Sequence, residues 1–378
     1  MEKEGRSGVE AGAFLDLTGA SFFTGVPDSL LRPFCDCLCD RFGINSTQHV
    51  VAANEGNAVG IAAGYHLATG AVPLVYLQNS GEGNIINPLA SLLHEKVYAI
   101  PCIFVIGWRG EPGVHDEPQH VFQGEVTCQL LETMGVACKV IGKETTEAEV
   151  KEAMQSFRQP LSAGKQVAFV VRKDALWYEN KRTFQNDATL GREEAIREIV
   201  AVSGEDPVVC TTGKASRELF EIRKALGQSH ARDFLTVGSM GHASSIALGI
   251  ALQKPEKTVW CIDGDGAVLM HLGALPVIGE LRVKNLRHIM VNNGAHESVG
   301  GMPTAAGNRA FDRVAKECGY VWAETVSDPE ALRNALSRMR EADGPAFLEI
   351  RCSLGARKDL GRPDTTPQEN KAAFMEAL

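Results

Sequence analysis

Apolar, β-branched runs alternate with stretches of helical period along the 378 residues. Short apolar runs bounded by Gly, Pro and Asn predict strands, and apolar positions recurring three and four apart predict helices. In the first half, strands are predicted at 21–25, 48–52, 72–77, 102–107, 137–140 and 166–171, with helices at 29–42, 57–68, 84–97, 121–134 and 146–162. The second half repeats the scheme: strands at 207–211, 233–237, 258–262, 287–291, 320–324 and 346–351, helices at 193–202, 215–226, 243–252, 267–283, 308–318 and 329–341. Repeated βα units with short loops mean parallel sheets covered by helices on both faces. The pattern predicts an α/β chain of two doubly wound parallel-sheet domains, 1–180 and 192–378, joined by the polar stretch 177–191. Ligands of such sheets sit beyond the C-terminal strand ends. Every candidate residue below falls at such an end.

Composition narrows the class without deciding it. Hydrophobic content of 44% and charged content of 22% suit a soluble globular protein. A net charge of −9 argues against nonspecific nucleic-acid or membrane binding. Residues 1–12 are charged and lack an apolar core, so neither a signal peptide nor an anchor is expected. With ten cysteines, free thiols in a reducing compartment, the cytoplasm, are expected. Cys35, Cys37 and Cys39 alternate, but positions two apart on a helix diverge and no Cys-x₂-Cys pair accompanies them. Buried helix cysteines are the expectation there, not zinc.

The chemistry concentrates at strand ends. Gly264-Asp265-Gly266 closes one apolar run, and Asn292-Asn293 closes the next, with twenty-five residues between them. Each pair alone is an ordinary turn signal. Together they fit a site where a divalent metal holds a diphosphate, since a carboxylate and an amide supply hard oxygen ligands to Mg²⁺. The glycines let backbone approach phosphates closely. Glu55 opens an Ala- and Gly-rich helix after the second strand, where helix capping is the plain explanation. Gly238-Ser239-Met240-Gly241 reads as a glycine-rich turn with a gap-filling Met. Thr211-Thr212-Gly213-Lys214 lacks the upstream Gly of a Walker loop, so that reading is rejected.

Over nearly its whole length the chain resembles the thiamine diphosphate enzymes, and among them the phosphonopyruvate and sulfopyruvate decarboxylases. The stretches that carry this are 25–29 (Gly-Val-Pro-Asp-Ser), 107–113, 116–120, 292–301 and 357–363. The resemblance implies a pyrimidine-binding first domain, a diphosphate-binding second domain and no middle domain, for which the linker has no room. It implies thiamine diphosphate and Mg²⁺ as cofactors. Asp265, the Asn293 side chain and the Ala295 carbonyl would ligate the metal, while Asn292 braces the turn. Glu55 would hydrogen-bond the pyrimidine nitrogen and favour the imino tautomer. Met240 would wedge between the two rings, with Gly238, Ser239, Gly264, Gly266, Thr212 and Gly213 also lining the cofactor. Asp28, His115, His120 and His296 are candidates for handling protons.

The implied reaction is decarboxylation of 3-phosphonopyruvate to phosphonoacetaldehyde and CO₂, in phosphonate biosynthesis toward 2-aminoethylphosphonate. A phosphonate needs fixed cationic donors, for which Arg is best suited; Arg109, Lys214, Arg357, Lys358 and Arg362 are the candidates. The resemblance also implies a homodimer or dimer of dimers whose active sites form between chains. Sulfopyruvate is the alternative substrate; since those enzymes often divide the two domains between separate chains, a fused chain favours the phosphonate. A nicotinamide-dependent oxidoreductase would need a Gly-x-Gly-x-x-Gly turn after a first strand, and none is present. A noncatalytic binding protein of this fold is disfavoured by the retention of Glu55, Asp265 and Asn293.

Overall fold

The computed structural model describes residues 7–307 and 309–378. It divides into two compact units, Met1–Thr183 with Ser298–Met302, and Phe184–Glu297 with Pro303–Leu378. Residues 178–191 carry neither helix nor strand.

The first unit is built on strands β1 (Phe23–Gly25), β2 (His49–Val51), β3 (Leu74–Gln78), β4 (Cys102–Gly107), β5 (Ala137–Ile141) and β6 (Gln166–Val171). They pair in parallel in the order β2-β1-β3-β4-β6-β5. Helices α1 (Ala11–Thr18), α2 (Arg32–Phe42), α3 (Glu55–Thr69), α4 (Glu82–Pro88), α5 (Pro118–Thr133) and α6 (Glu147–Ser162) cover it. Alternate residues of a strand face opposite sides of the sheet. Val75, Leu77, Phe104 and Ile106 therefore pack with Ala58, Val59, Ala62 and Ala63 of α3 on one face. On the other, Phe169 meets Phe14 and Phe157 edge-on, at 5.0 and 5.3 Å.

The second unit repeats the order with β7 (Val208–Cys210), β8 (Asp233–Leu235), β9 (Val259–Gly264), β10 (Leu286–Asn292), β11 (Trp322–Val326) and β12 (Ala346–Arg351), arranged β8-β7-β9-β10-β12-β11. Its helices are α7 (Arg192–Ser203), α8 (Lys214–Ala225), α9 (Ala243–Gln253), α10 (Asp265–Met270), α11 (Ala274–Leu281), α12 (Phe311–Glu317), α13 (Pro329–Arg340) and α14 (Pro367–Ala377). Trp260, Ile262, Ile289 and Leu348 fill one side of this sheet, and Val259, Cys261, Met290 and Phe347 the other. In both sheets the order reverses beside the first strand, which leaves a crevice beyond the ends of strands one and three.

Several expected elements change. The helix expected at 84–97 is α4 followed by a π turn, Leu89–Leu93. Pro88 has no N–H for the helical ladder there, and a widened turn absorbs the defect. The helix expected at 267–283 is two, α10 and α11, separated at His271-Leu272-Gly273. Apolar periodicity runs through the break because both pieces pack on one core. Two helices were not anticipated. In α1 the apolar face of Phe14 and Leu15 lies beside the charged start, with Glu10 accepting from the Ala13 amide at 2.8 Å. In α14, Thr366 and Glu369 form a capping box. Asn308, the expected start of α12, and residues 1–6 of the charged N-terminal stretch lie outside the described residues. Cys35, Cys37 and Cys39 lie on α2, buried, and burial pushes their thiols up. Among the described residues no helix is long and apolar enough to cross a membrane.

Candidate active site

In the second unit, four neighbouring strand ends carry the groups expected to hold a cofactor. Thr212, just past β7, donates from Oγ1 to the Val237 carbonyl at 2.7 Å and so ties the ends of β7 and β8 together. Gly213, which precedes α8, has φ +96°, a conformation costly for any other residue. After β8 the chain turns through Gly238, Ser239 (φ +51°) and Met240. Met240 is half-exposed and reaches over Gly266, where a Cβ would lie 3.1 Å from its Cε. The backbone at Gly266 therefore stays bare beneath that side chain.

Asp265 begins α10 and is buried, 4% exposed. Thr304 donates to its Oδ2 at 2.5 Å. Burial raises its pKa to about 6, and hydrogen bonds from Thr304 and the amides of Gly266 and Asn293 hold it from rising further. Among the described residues no Lys or Arg pairs with it. A buried carboxylate supplied only with neutral donors, the backbone amide of Asn293 among them, suits a hard divalent cation. The register Gly264↔Val291 brings the Asn-Asn turn alongside. Asn293 Oδ1 accepts from the Ala295 amide at 3.1 Å. Asn292 is buried: its Oδ1 accepts from Gly294 at 2.9 Å, and its Nδ2 donates to Glu349 at 2.7 Å. His296 follows, half-buried, its pKa pushed down to about 4 by burial.

Of the candidate anion-binding cations of this unit, Lys214 and Arg357 are engaged in ion pairs. Lys214 Nζ lies 3.3 Å from Glu297, whose other oxygen takes a 2.6 Å bond from Arg192. Arg192 in turn grips Glu218 in a two-pronged contact at 2.7 and 2.8 Å. This buried network fixes the loop that follows the Asn-Asn turn. Arg357 pairs with Glu193, Glu221 and Asp359. Lys358 and Arg362 are exposed.

The first unit places different chemistry at equivalent strand ends. Glu55 is buried at the start of α3, whose N-cap is Asn54. Asn84 donates to Glu55 Oε2 at 2.7 Å. Gly81 packs so tightly against the carboxyl group that any Cβ there would collide with it. Asp28, past β1, is also buried. It accepts from the Leu30 and Leu31 amides at 3.1 and 3.2 Å and from Gln78 Nε2. Burial pushes its pKa up, and the Gln78 bond, those amides and the Arg109 charge offset part of the rise.

Arg109 is fixed from two sides. Asn79 accepts from its amide at 3.1 Å and donates to its carbonyl at 2.7 Å. Asp116 takes Nε and NH2 at 2.8 and 2.5 Å. Burial alone would raise Asp116, but Arg109 and the Glu117 and Gly110 amides hold its carboxyl well below the usual range. That fork uses two of the five guanidinium N–H donors. His120 is buried on α5, and burial together with the Arg109 charge pushes its pKa down. His115 is exposed in the loop before α5 and stands apart from this cluster in burial.

Gln78, Asn79, Gly81 and Asn84 were not among the sequence candidates. A polar, Gly-rich stretch directly after a strand was the available signal. Thr304 and Glu349 gave none, because each reaches its partner only through the tertiary fold.

The comparisons with known proteins agree with this division. Residues 13–131 match the family model of the N-terminal TPP binding domain of thiamine pyrophosphate enzymes, and residues 211–350 match that of the C-terminal TPP binding domain. A phosphonopyruvate decarboxylase of Streptomyces viridochromogenes is 34% identical over 375 residues, 94% of this chain and 91% of that one. The chain belongs to the thiamine pyrophosphate (thiamine diphosphate) enzymes. It is a decarboxylase of the 2-oxo acid class. A sulfopyruvate decarboxylase of Methanosarcina acetivorans is 29% identical, spanning 96% of this decarboxylase and 95% of that protein. A sulfopyruvate decarboxylase subunit beta of Methanocaldococcus jannaschii is 36% identical over 192 residues, 50% of this chain and 96% of the subunit. Sulfopyruvate decarboxylases thus occur both fused and divided, so a fused chain does not separate the two substrates.

Proposed function

We propose that this decarboxylase converts 3-phosphonopyruvate to phosphonoacetaldehyde and CO₂ with thiamine diphosphate and Mg²⁺, in phosphonate biosynthesis. The observation that carries the substrate is the 34% identity to a phosphonopyruvate decarboxylase over nearly both whole chains. Sulfopyruvate is the second reading, supported by the 29% identity to a fused sulfopyruvate decarboxylase.

The bound cofactor supplies the electron sink for the pair left when CO₂ departs. Asp265, Asn293 and the Ala295 carbonyl would hold Mg²⁺, with the bare glycine backbone at 264–266 and the turns at 212–213 and 238–239 against the diphosphate. Glu55, kept in place by Asn84 and Gly81, would hold a proton against the pyrimidine nitrogen. Asp28 and His120 are the buried groups placed to move other protons, with His296 and His115 from the loops. Arg109, pre-oriented by Asp116 and Asn79, would take the phosphonate; Lys214 and the Arg357, Lys358 and Arg362 loop are further cations.

The active enzyme is a homodimer or dimer of dimers, with Glu55 of one chain serving Asp265 of another. Ten free thiols fit a cytoplasmic location. The deciding assay supplies purified protein, thiamine diphosphate and Mg²⁺ with phosphonopyruvate, sulfopyruvate or pyruvate, and measures aldehyde and CO₂. A higher kcat/KM for sulfopyruvate would replace the substrate. Light scattering should show an oligomer, and a fully active monomer would end the inter-chain reading.

A further inference from the structure

Glu349 sits on β12, between β10 and β11 in the sheet, and is fully buried, and among the described residues its one cationic neighbour is Arg351. The Arg351 guanidinium comes no nearer than 3.7 Å and is itself part-exposed. A buried carboxylate in a strand of apolar neighbours is costly unless its oxygens are filled by donors. They are: Oε1 accepts from Asn292 Nδ2 at 2.7 Å, and Oε2 from Thr325 Oγ1 at 2.9 Å and the Phe311 amide at 3.3 Å.

The contact with Asn292 has only one sense. Asn292 Oδ1 already accepts from Gly294 at 2.9 Å, so its NH₂ must face Glu349. The Gly294 carbonyl in turn accepts from the Thr304 amide at 2.8 Å, and the Thr304 hydroxyl donates to Asp265 at 2.5 Å. One continuous chain of hydrogen bonds thus runs from the middle of the sheet to the carboxylate expected to bind the metal. Asn293 and Ala295, the other expected ligands, lie on the turn that this chain fixes.

We infer that Glu349 is a positioning residue for the metal–diphosphate site, holding the Asn-Asn turn through Asn292; this rests on the cofactor reading given above. Its role is to supply an acceptor that no neutral isostere can replace. A Gln at 349 has the same shape but one NH₂ end. Aimed at Asn292, that end meets another NH₂; reversed, it meets the Phe311 N–H. The complementary change is available, since an Asp at 292 could accept from both Gly294 and a Gln at 349.

The test is calorimetric titration of Mg²⁺ into protein with thiamine diphosphate, beside the melting temperature of each protein without cofactor. Glu349→Gln should raise the Mg²⁺ requirement about tenfold, the lower end of the usual effect of losing an outer partner of a metal site. Asn292→Asp combined with Glu349→Gln should return it toward wild type, whereas Asn292→Asp alone, with two carboxylates opposed, should not. A purely structural Glu349 would lower the melting temperature and leave the Mg²⁺ requirement unchanged, and that result overturns the inference. If Glu349→Gln does not fold, Thr325→Val removes one donor and should shift the requirement by a smaller factor; no shift in that variant also overturns it. Wild-type protein that takes up no Mg²⁺ with thiamine diphosphate would instead remove the cofactor reading itself.

Discussion

The two units share one strand order and one crevice position, yet they fill the crevice differently. In the first unit the candidate carboxyl groups each take a side-chain amide, Glu55 from Asn84 and Asp28 from Gln78, with two backbone amides also on Asp28. In the second, Asp265 is met by a hydroxyl and by backbone amides of tight turns. Burial raises both Asp28 and Asp265. The difference lies in what the surroundings leave open. Around Asp265 the turn offers further oxygen ligands and a bare glycine backbone, which suits a cation bound to phosphate. Around Glu55 and Asp28 there are polar side chains of fixed orientation, which suit a proton held at a chosen atom. One architecture can carry chemistry suited to two tasks because its strand ends are free to carry different loops.

The comparison breaks first at its most demanding claim, that the two carboxylates do different work. Asp265→Ala should abolish measurable binding of Mg²⁺ and thiamine diphosphate in calorimetry, since it removes the charged ligand. Glu55→Gln should retain binding and lower turnover by roughly 10²–10⁴-fold, the usual contribution of a positioned acid or base. A wild-type rate for Glu55→Gln under saturating cofactor would mean that the first unit contributes no such group.

Gly81→Ala sharpens the same point without touching the carboxylate. The added Cβ would displace Glu55, and a displacement of about 1 Å at a reacting group can cost on the order of a hundredfold in rate. Turnover should fall while calorimetric affinity for the cofactor stays near wild type; an unaffected rate would show that Glu55 tolerates movement. Arg109→Ala should lower kcat/KM for phosphonopyruvate about ten- to a hundredfold, the loss of one charge-assisted contact. Arg109→Lys should recover only part, because an ammonium cannot make a planar two-pronged contact. Any slow turnover of pyruvate, which lacks the phosphonate, should change little. Equal losses on both substrates would assign Arg109 to holding Asp116 and its loop.

How much of this was legible in the sequence depends on whether the signal was local. The strands Cys102–Gly107, Gln166–Val171 and Ala346–Arg351 coincide with their apolar runs, since nothing interrupts the pattern. Gly264-Asp265-Gly266 and Asn292-Asn293 could be picked out because glycine and side-chain amides cluster where strands stop. Asp116 stood within a stretch already noted, but that it grips Arg109 seven residues back could not be read from spacing in a loop. Glu349 was invisible for a different reason. It occupies a strand position that looks like any interior residue, and its partners at 292, 311 and 325 come from other elements of the sheet and its covering helix. The break between α10 and α11 was hidden because the apolar period continues across it.

The smallest effect expected concerns stability and belongs to the first unit alone. Glu82, the residue after Gly81, is 1% exposed, and neither of its carboxyl oxygens has a hydrogen-bond partner. The nearby Thr127 hydroxyl, which also reaches the Gln123 carbonyl at 2.7 Å, offsets only part of the effect of burial. Burial pushes the pKa of Glu82 up to about 8, against an ordinary value of 4.5. Its place at the start of α4 favours a negative charge by about 1 kcal/mol or less, too little to offset burial without a donor. Between pH 4.5 and about 8 the folded chain therefore holds a proton that the unfolded chain has released. Folding stability should fall as pH rises through that interval and level off above it. Glu82→Gln keeps the shape and removes the charge. It should match wild type near pH 5 and exceed it by a growing margin toward pH 8, as the wild-type chain loses that proton linkage. In thermal unfolding of both proteins across that range, the gap between them should widen with pH. Parallel curves would mean that Glu82 reaches water or a donor when the enzyme is assembled, and that the first unit carries no unpartnered acid.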